Sequence, residues 1–474
     1  MYETIYVPVD NSENSNRAVD LAIALARWFR ARLVGSHVYA AKLHAHRFKQ
    51  MEFTLPGEYR KEKELRRQRT IHDSLISMGL RLISNSYLDA IQDTCQAAGV
   101  PFERKILEGR HYRVLLDDIQ NSRYDLVVMG ALGMGAGKGR QLGSVCERVV
   151  RKTTADVLVV KELGSGQTDT RRSILVGIDG SPQSFGALKA ALALSRAFGR
   201  PVEAVGVYDP YLHSAMFKSI AGVLSEKGSK VFRFEDQERL HEEITDAGIG
   251  KIYQSHLQVA KHLAEEEEIP LTTTLLDGKA FEGILKHARQ TRPWLLILGR
   301  IGIHGDERVD DLGSAAENLL RLTPCNLFLT GQKVHPPMDV KAEETVAWSQ
   351  EALERMSRVP SMVQGMARTA VLRYAIEQGH SVVTSDLIDA AMGSFMPSGT
   401  VASAENETEG EKPSDGVDTE WSGEAQKALG DIPDAYLRRR SRARIEKTAR
   451  MKRLENITLS FVEPIIEDTM NGSK

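Results

Sequence analysis

Cysteine is scarce in this chain: three residues in 474, Cys95, Cys146 and Cys325, lie far apart with no CxxC spacing. That excludes a disulfide framework, a zinc knuckle and a cysteine-ligated cluster, and it fits a reducing, cytoplasmic compartment. Long apolar runs are also missing. No stretch approaches the ~18 residues a membrane helix needs, and the start at Tyr2-Glu3-Thr4-Ile5 carries no basic-then-apolar leader, so neither a span nor a standard export signal is expected. Charge of one sign is not in excess either: 62 Lys and Arg against 64 Asp and Glu give a formal −2, with no global pull toward nucleic acid or anionic lipid. His37, His44, His46, His72 and His111 make no HExxH-type pattern, so no metal site is expected and His37 reads as a structural histidine.

What is abundant is repetition. Ile5 to Val9 and Ile174 to Ile178 are β-branched runs, each followed by Asp-x-Ser (Asp10-Asn11-Ser12, Asp179-Gly180-Ser181) and an alanine-rich helical pattern, 169 residues apart (10 to 179). The offset persists through Ala18/Ala187, Leu25/Leu194, Tyr39/Tyr208 and Gly109/Gly278. After one insertion it continues as Glu147/Glu317 and Arg151/Arg321. Each copy alternates apolar strands with helical stretches, the rhythm of a parallel sheet covered on both faces. The expected fold is α/β: two doubly wound parallel five-stranded sheets in tandem, over residues 1–163 and 172–335, plus small all-α C-terminal modules. Those modules form a second tandem repeat, Trp348-Ser349-x-Glu351-Ala352 returning as Trp421-Ser422-x-Glu424-Ala425. They are expected over 344–395 and 420–468. Between them an acidic Ser, Gly and Pro-rich stretch, 396–419, reads as a disordered linker.

The chemistry concentrates after one strand. Asp125-Leu126-Val127-Val128-Met129 leads into Gly130, Gly133, Gly143 and Ser144, a glycine loop followed by a helix start. Glycine at a strand exit lets backbone approach a phosphate, and a Gly-Ser pair opening a helix offers free N–H groups, a positive dipole end and a hydroxyl. Lys138 and Arg140 add positive charge to this loop. The pattern returns as Gly299, Gly302, Gly313 and Ser314, but that loop holds Asp306, Glu307, Asp310 and Asp311 against Arg308. Like charge beside a polyphosphate lowers affinity. Gly177 also stands for Pro8 and Trp294 for Asp125, so the second copy is expected to be the weaker site.

On Val7-Pro8-Val9-Asp10, His37-Val38, Asp125 to Met129 and the glycine spacing, both large domains resemble universal stress proteins of the subclass that binds ATP. The resemblance implies an adenine-nucleotide α-hydrolase-like fold and ATP, with Mg, as ligand. It places Pro8, Val9, Asp10 and Val38 on the nucleoside side, and Met129, Gly130, Gly133, Gly143, Ser144 and Val145 on the loop side. The second, weaker site is Asp179, Val207, Gly299, Gly302, Gly313 and Ser314. It further implies that the last strands of the two domains pair as an internal pseudo-dimer. The tail copies resemble the C-terminal module of the light-independent protochlorophyllide reductase B subunit, without that enzyme's body or cluster cysteines.

The functional expectation is therefore a nucleotide-dependent stress-response or regulatory protein whose helical tail docks an unidentified protein partner. Whether the chain forms a homo-oligomer is left open. No Walker lysine, positioned general base or phospho-acceptor is present, so ATP reads as a sensed ligand; slow hydrolysis, with Lys138 or Arg140 stabilising charge, stays open. Two alternatives remain: an adaptor for a tetrapyrrole or redox system acting through the tail, and an ATP-using transferase. The transferase lacks HIGH and SGGxDS signatures. The basic run from Arg438 to Arg453 has no interleaved aromatics and reads as a solvated or internally neutralised face, not a nucleic-acid surface.

Overall fold

The computed structural model describes residues 2–137, 139–162, 171–209, 246–305, 312–395, 420–430 and 456–471, with positions 441, 445 and 449. Lys138, the acids of the second loop, the acidic linker and most of the basic run lie outside these residues. The chain divides into two compact units, Met1–Pro397 and Ser398–Lys474.

The first unit is built on strands β1 Thr4–Val9, β2 Arg32–Tyr39, β3 Phe102–Glu108, β4 Leu126–Gly130 and β5 Asp156–Val160. Their copies are β6 Ile174–Gly177, β7 Val202–Tyr208, β8 Leu271–Asp277, β9 Leu295–Gly299 and β10 Asn326–Thr330. Pairing is parallel within each half, but the halves are not separate sheets. They join into one ten-stranded sheet of order β3-β2-β1-β4-β5-β10-β9-β6-β7-β8. The joint is the one antiparallel pair, with Leu327 opposite Val159, Phe328 opposite Leu158 and Leu329 opposite Val157. The near-continuous apolar composition of the central strands follows from burial on both faces, whereas the edge strands β3 and β8 carry charged and hydroxyl side chains.

The first helix of each half starts at a serine that caps it. Ser12 accepts from the Ser15 N–H at the start of α1 (Glu13–Phe29), and Ser181 accepts from the Ser184 N–H before α6 (Pro182–Phe198), which adds proline in its first turn. The remaining helices of the first half are α2 Ala41–Met51, α3 Glu62–Ala98, α4 His111–Ser122 and α5 Ser144–Lys152. Those of the second are α7 Asp246–Glu266, α8 Ala280–Thr291 and α9 Ser314–Leu322. Helix α2 has no counterpart in the sequence expectation, because of its eleven residues only Ala41 is buried and no apolar stripe marks it.

The seam between the halves is two-fold in character. The Asp156 carboxylate accepts from the Gly331 N–H at 3.1 Å, and the Asn326 side-chain oxygen accepts from the Lys161 N–H at 3.0 Å, the same pair of positions in each copy. Arg151 meets Glu317 at 3.1 Å and Arg321 meets Glu147 at 2.7 Å. Each of these partly exposed ion pairs is worth about 0 to 1 kcal/mol. The apolar strands therefore carry the seam: Val157, Val159, Leu327, Phe328 and Leu329 are wholly buried.

The C-terminal ends of α5 and α9 abut this seam, and each copy satisfies the other's helix end with a different cation. Lys161 donates its Nζ to the Leu320 and Thr323 carbonyls at 2.6 and 2.9 Å; Arg300 donates an Nη to the Val150 carbonyl at 2.9 Å. Both complement the negative helix end.

Beyond β10, α10 (Met338–Thr345) packs on α7 and leads into a small module. There Ala347–Trp348 (β11) pairs in parallel with Val382–Val383 (β12), and α11 Gln350–Ser357, α12 Ser361–Glu377 and α13 Ser385–Phe395 close over Met356, Leu372, Ala375 and Ile388. The second unit repeats the pattern: Glu420–Trp421 (β13) pairs with Asn456–Ile457 (β14), beside α14 Gly423–Gly430 and α15 Leu459–Asn471. The tail is thus helical, with two-residue parallel ribbons too short to register as strands in the sequence.

Two outcomes follow from the seam. Burial pulls the Lys161 ammonium down to about 8 from its ordinary 10.5, so folding penalises the charged form. The penalty is full below about pH 8 and is relieved as pH rises toward 10.5, so stability from this group rises through that window. Thermal melts of the wild type and Lys161→Met across it should show the wild type gaining on the variant; a pH-independent difference contradicts the assignment. Phe328→Ala should lower stability by about 3 to 5 kcal/mol in chemical denaturation, because it empties the centre of the seam.

Candidate functional site

In a sheet ordered β3-β2-β1-β4-β5 the chain reverses direction of travel between β1 and β4, and a crevice opens beyond their carboxyl ends. A cavity of about 430 Å³ occupies that position. Pro8, Val9 and Asp10 reach it from the end of β1, Val38 from β2, and Met129 and Gly130 from β4. Gly133 and Arg140 come from the loop after β4, and Gly143, Ser144 and Val145 from the start of α5. Every described residue of the first expected set therefore lines one space; Lys138 lies outside the described residues.

Asp10 organises the loop. Its two carboxylate oxygens accept from the Ser12 N–H at 3.1 Å and the Met134 N–H at 2.9 Å, tying the strand end to the glycine loop. Ser12 adds a hydrogen bond from its hydroxyl to the Leu132 carbonyl at 3.0 Å. A Cβ on Gly133 would stand 2.5 Å from an Asp10 carboxylate oxygen, so this glycine is required by the aspartate beside it. At Gly130 the close approach is again internal: a Cβ would meet the Asn14 and Ser15 backbone of α1 at 2.7 Å. That corrects the expectation that the strand-exit glycine makes room for a phosphate; it makes room for the first turn of α1.

The N-terminus of α5 faces the cavity. Gly143 is its cap and supplies no side-chain acceptor, so the first-turn N–H groups lack both a cap and a carbonyl four residues back. Arg140 is exposed at the rim and makes no ion pair among the described residues. With Asp10 and the Ser144 hydroxyl, the wall offers oriented N–H donors, one cation and one carboxylate, beside an apolar floor of Val9, Val38 and Met129. That donor set suits a phosphorylated, partly apolar ligand. Among the described residues no cluster of three His, Cys, Asp or Glu could hold a metal.

Two histidines the sequence left aside also line the cavity. His37 Nδ1 lies 2.8 Å from the Ser84 hydroxyl, and its ring meets Tyr87 edge-on at 5.2 Å. Burial, then the nearby His111, lowers its pKa, so it is neutral at physiological pH. The signal for His37 was its place one residue before Val38, on the strand end. Cys146 lies beneath the helix start, and burial pushes its thiol up to about 12, so the helix dipole does not activate it.

The second copy repeats the frame. Its cavity, about 380 Å³, is lined by Asp179, Val207, Gly299, Gly302, Gly313 and Ser314. Asp179 accepts from the Ser181 and Ile303 N–H groups, both at 2.9 Å. Two sequence differences lose the weight given them. The Asp125 carboxylate accepts from the Glu3 and Thr4 N–H groups at 2.8 Å, and so belongs with Trp294 to the opposite end of the sheet. Gly177 for Pro8 accompanies Leu298 for Met129, since a Cβ on Gly177 would stand 2.6 Å from the Leu298 side chain. Further differences reach the cavity: Gly206 and Ala280 stand at the positions of His37 and His111, and Arg300, at the position of Ala131, donates to the Val150 carbonyl across the seam.

Comparison with known proteins places the chain in a family. A model described as the universal stress protein family matches residues 1–161 and again 170–330, and one described as proto-chlorophyllide reductase 57 kD subunit matches 348–391. A universal stress protein of Methanocaldococcus jannaschii is 28% identical over 162 residues, 34% of this chain and 84% of that protein. One from Mycobacterium bovis is 26% identical over 152 residues, 32% of this chain; the match spans 47% of that relative's length. Among solved structures, a universal stress protein from Archaeoglobus fulgidus aligns with TM-score 0.44 at 16% identity, covering 69% of this chain and 98% of that one. A universal stress protein solved in complex with cAMP aligns with TM-score 0.22 at 26% identity, covering 34% of this chain and 96% of its own. With two matched copies spanning more than half its length, the chain belongs to the universal stress protein family.

Proposed function

We propose that the first domain binds ATP, with Mg, and that the protein acts as a cytoplasmic, nucleotide-dependent stress-response or regulatory protein. The observation that carries this reading is the α5 N-terminus, open and uncapped, facing a cavity whose glycine loop is held by Asp10 and edged by Arg140. The adenosine lies along Val9, Val38 and Met129, and the phosphates meet the loop and the first turn of α5. Mg is held by phosphate oxygens, with Asp10 the nearby carboxylate. ATP is a sensed ligand in this reading, since the sequence carries no Walker lysine motif or phospho-acceptor signature.

The second domain is proposed as the weaker copy. Its cavity has the same frame but carries Gly206 and Ala280 at the positions of His37 and His111. Domain limits are taken as 1–163 and 172–335, with tail modules at 344–395 and 420–468. The proposed docking element is the first tail module. It carries an apolar groove of about 900 Å³ in which Val363, Met366 and Met392 are 40, 70 and 44% exposed. That groove also favours the second reading, an adaptor acting through the tail. A chain ending after His335 that loses its partners while still binding ATP supports the adaptor.

The nucleotide reading is tested in the full chain by calorimetry. Gly133→Val should abolish Mg-ATP binding, because the added side chain displaces the Asp10 carboxylate. Gly302→Val should leave it unchanged, with both variants checked for folding by circular dichroism. Loss of binding in Gly302→Val and retention in Gly133→Val would place the ligand in the other copy and sink the assignment.

A further inference from the structure

A second cavity, about 530 Å³, adjoins the nucleotide cavity and shares His111 and Val145 with it. It lies past the end of β2, walled by Ala40 and Lys42, by Glu108 and Arg110 between β3 and α4, and by Arg148 one turn into α5. No described residue of the Gly133 to Gly139 loop lines it.

Its charge is distinctive. Lys42, Arg110 and Arg148 stand against the single acid Glu108, and none of the three cations makes an ion pair among the described residues. They are nonetheless placed. The Arg148 guanidinium stacks over the Tyr112 ring at 4.6 Å, and the Tyr112 hydroxyl accepts from Arg113 Nε at 3.1 Å. The hydrogen bond from Arg113, then the charges of Arg113, Arg148 and Arg110, lower the Tyr112 phenol, which reports the positive field at this point. The second copy does not keep the arrangement: Lys279, Ala280, Phe281 and Asn318 stand where Arg110, His111, Tyr112 and Arg148 do.

An unneutralised cationic recess beside a nucleotide cavity is suited to an additional phosphate. Its place decides which one. The 5′ phosphates are already assigned to the glycine loop and the first turn of α5, whereas this recess is walled by Ala40, just past the end of the strand that carries Val38, and by His111. A group entering it hangs from the ribose. We propose that the first domain recognises nucleotides phosphorylated on the ribose as well as at the 5′ position, the 2′ or 3′ phosphate being held by Arg110 and Arg148. This rests on the nucleotide reading of the adjoining cavity and extends it to a ligand class.

Calorimetric titration of the full chain with AMP, adenosine 2′,5′-bisphosphate, adenosine 3′,5′-bisphosphate and ATP tests it. One of the two bisphosphates should bind about tenfold tighter than AMP, the gain expected of charge-assisted contacts to a phosphate. Arg110→Gln with Arg148→Gln should erase that gain while AMP affinity stays within about twofold. Whichever bisphosphate shows the gain identifies the position of the phosphate. Equal affinity for AMP and both bisphosphates, or a gain that survives the double substitution, overturns the proposal while ATP binding leaves the parent reading intact. Absence of binding by all four, ATP included, overturns both.

Discussion

The antiparallel pairing of β5 with β10 is the constraint on which the rest of the large unit depends. It turns two parallel sheets into one and fixes the two copies as mirror positions about a local two-fold. It also brings the carboxyl ends of α5 and α9 against the seam, where they need cations and obtain Arg300 and Lys161. Each of these helices is only nine residues, about 13 Å long. Its negative end is therefore held at the seam while its positive end faces a cavity. The interface and the proposed phosphate cradle are two ends of one short element.

The two cavities share an internal logic that does not concern ligand. An aspartate at the end of the first strand accepts backbone N–H groups from its own turn and from the glycine loop, and the glycines are small because the aspartate and the first helix stand against them. Glycine spacing alone therefore reports the frame, and it is found in both copies. What differs is chemistry outside the spacing: two histidines and a basic recess in the first copy, against Gly206 and Ala280, and Lys279, Phe281 and Asn318 at the recess positions, in the second.

This explains what the sequence disclosed and what it withheld. The fold was legible because the central strands, buried on both faces, are apolar and because an offset of 169 residues (10 to 179), then 170 (147 to 317), repeats the landmarks. Helix α2 was not, since its surface carries no apolar stripe, and the two-residue ribbons of the tail leave no period to detect. The residues around the cavity were legible from strand ends and loop spacing. Their roles were less so: Asp125 looked like part of the site from its neighbours, yet strand direction puts it at the opposite edge, capping β1. His111 is far from the motif in sequence and reaches it only through the βα crossover.

The central claim is that one of two similar cavities holds an adenine nucleotide. The most direct measurement is the nucleotide content of the purified full chain, released by heat and identified by chromatography after saturation with Mg-ATP and removal of the unbound fraction. The account predicts a single adenine nucleotide per chain, absent from the Gly133→Val variant. Two nucleotides per chain, or none, would contradict it.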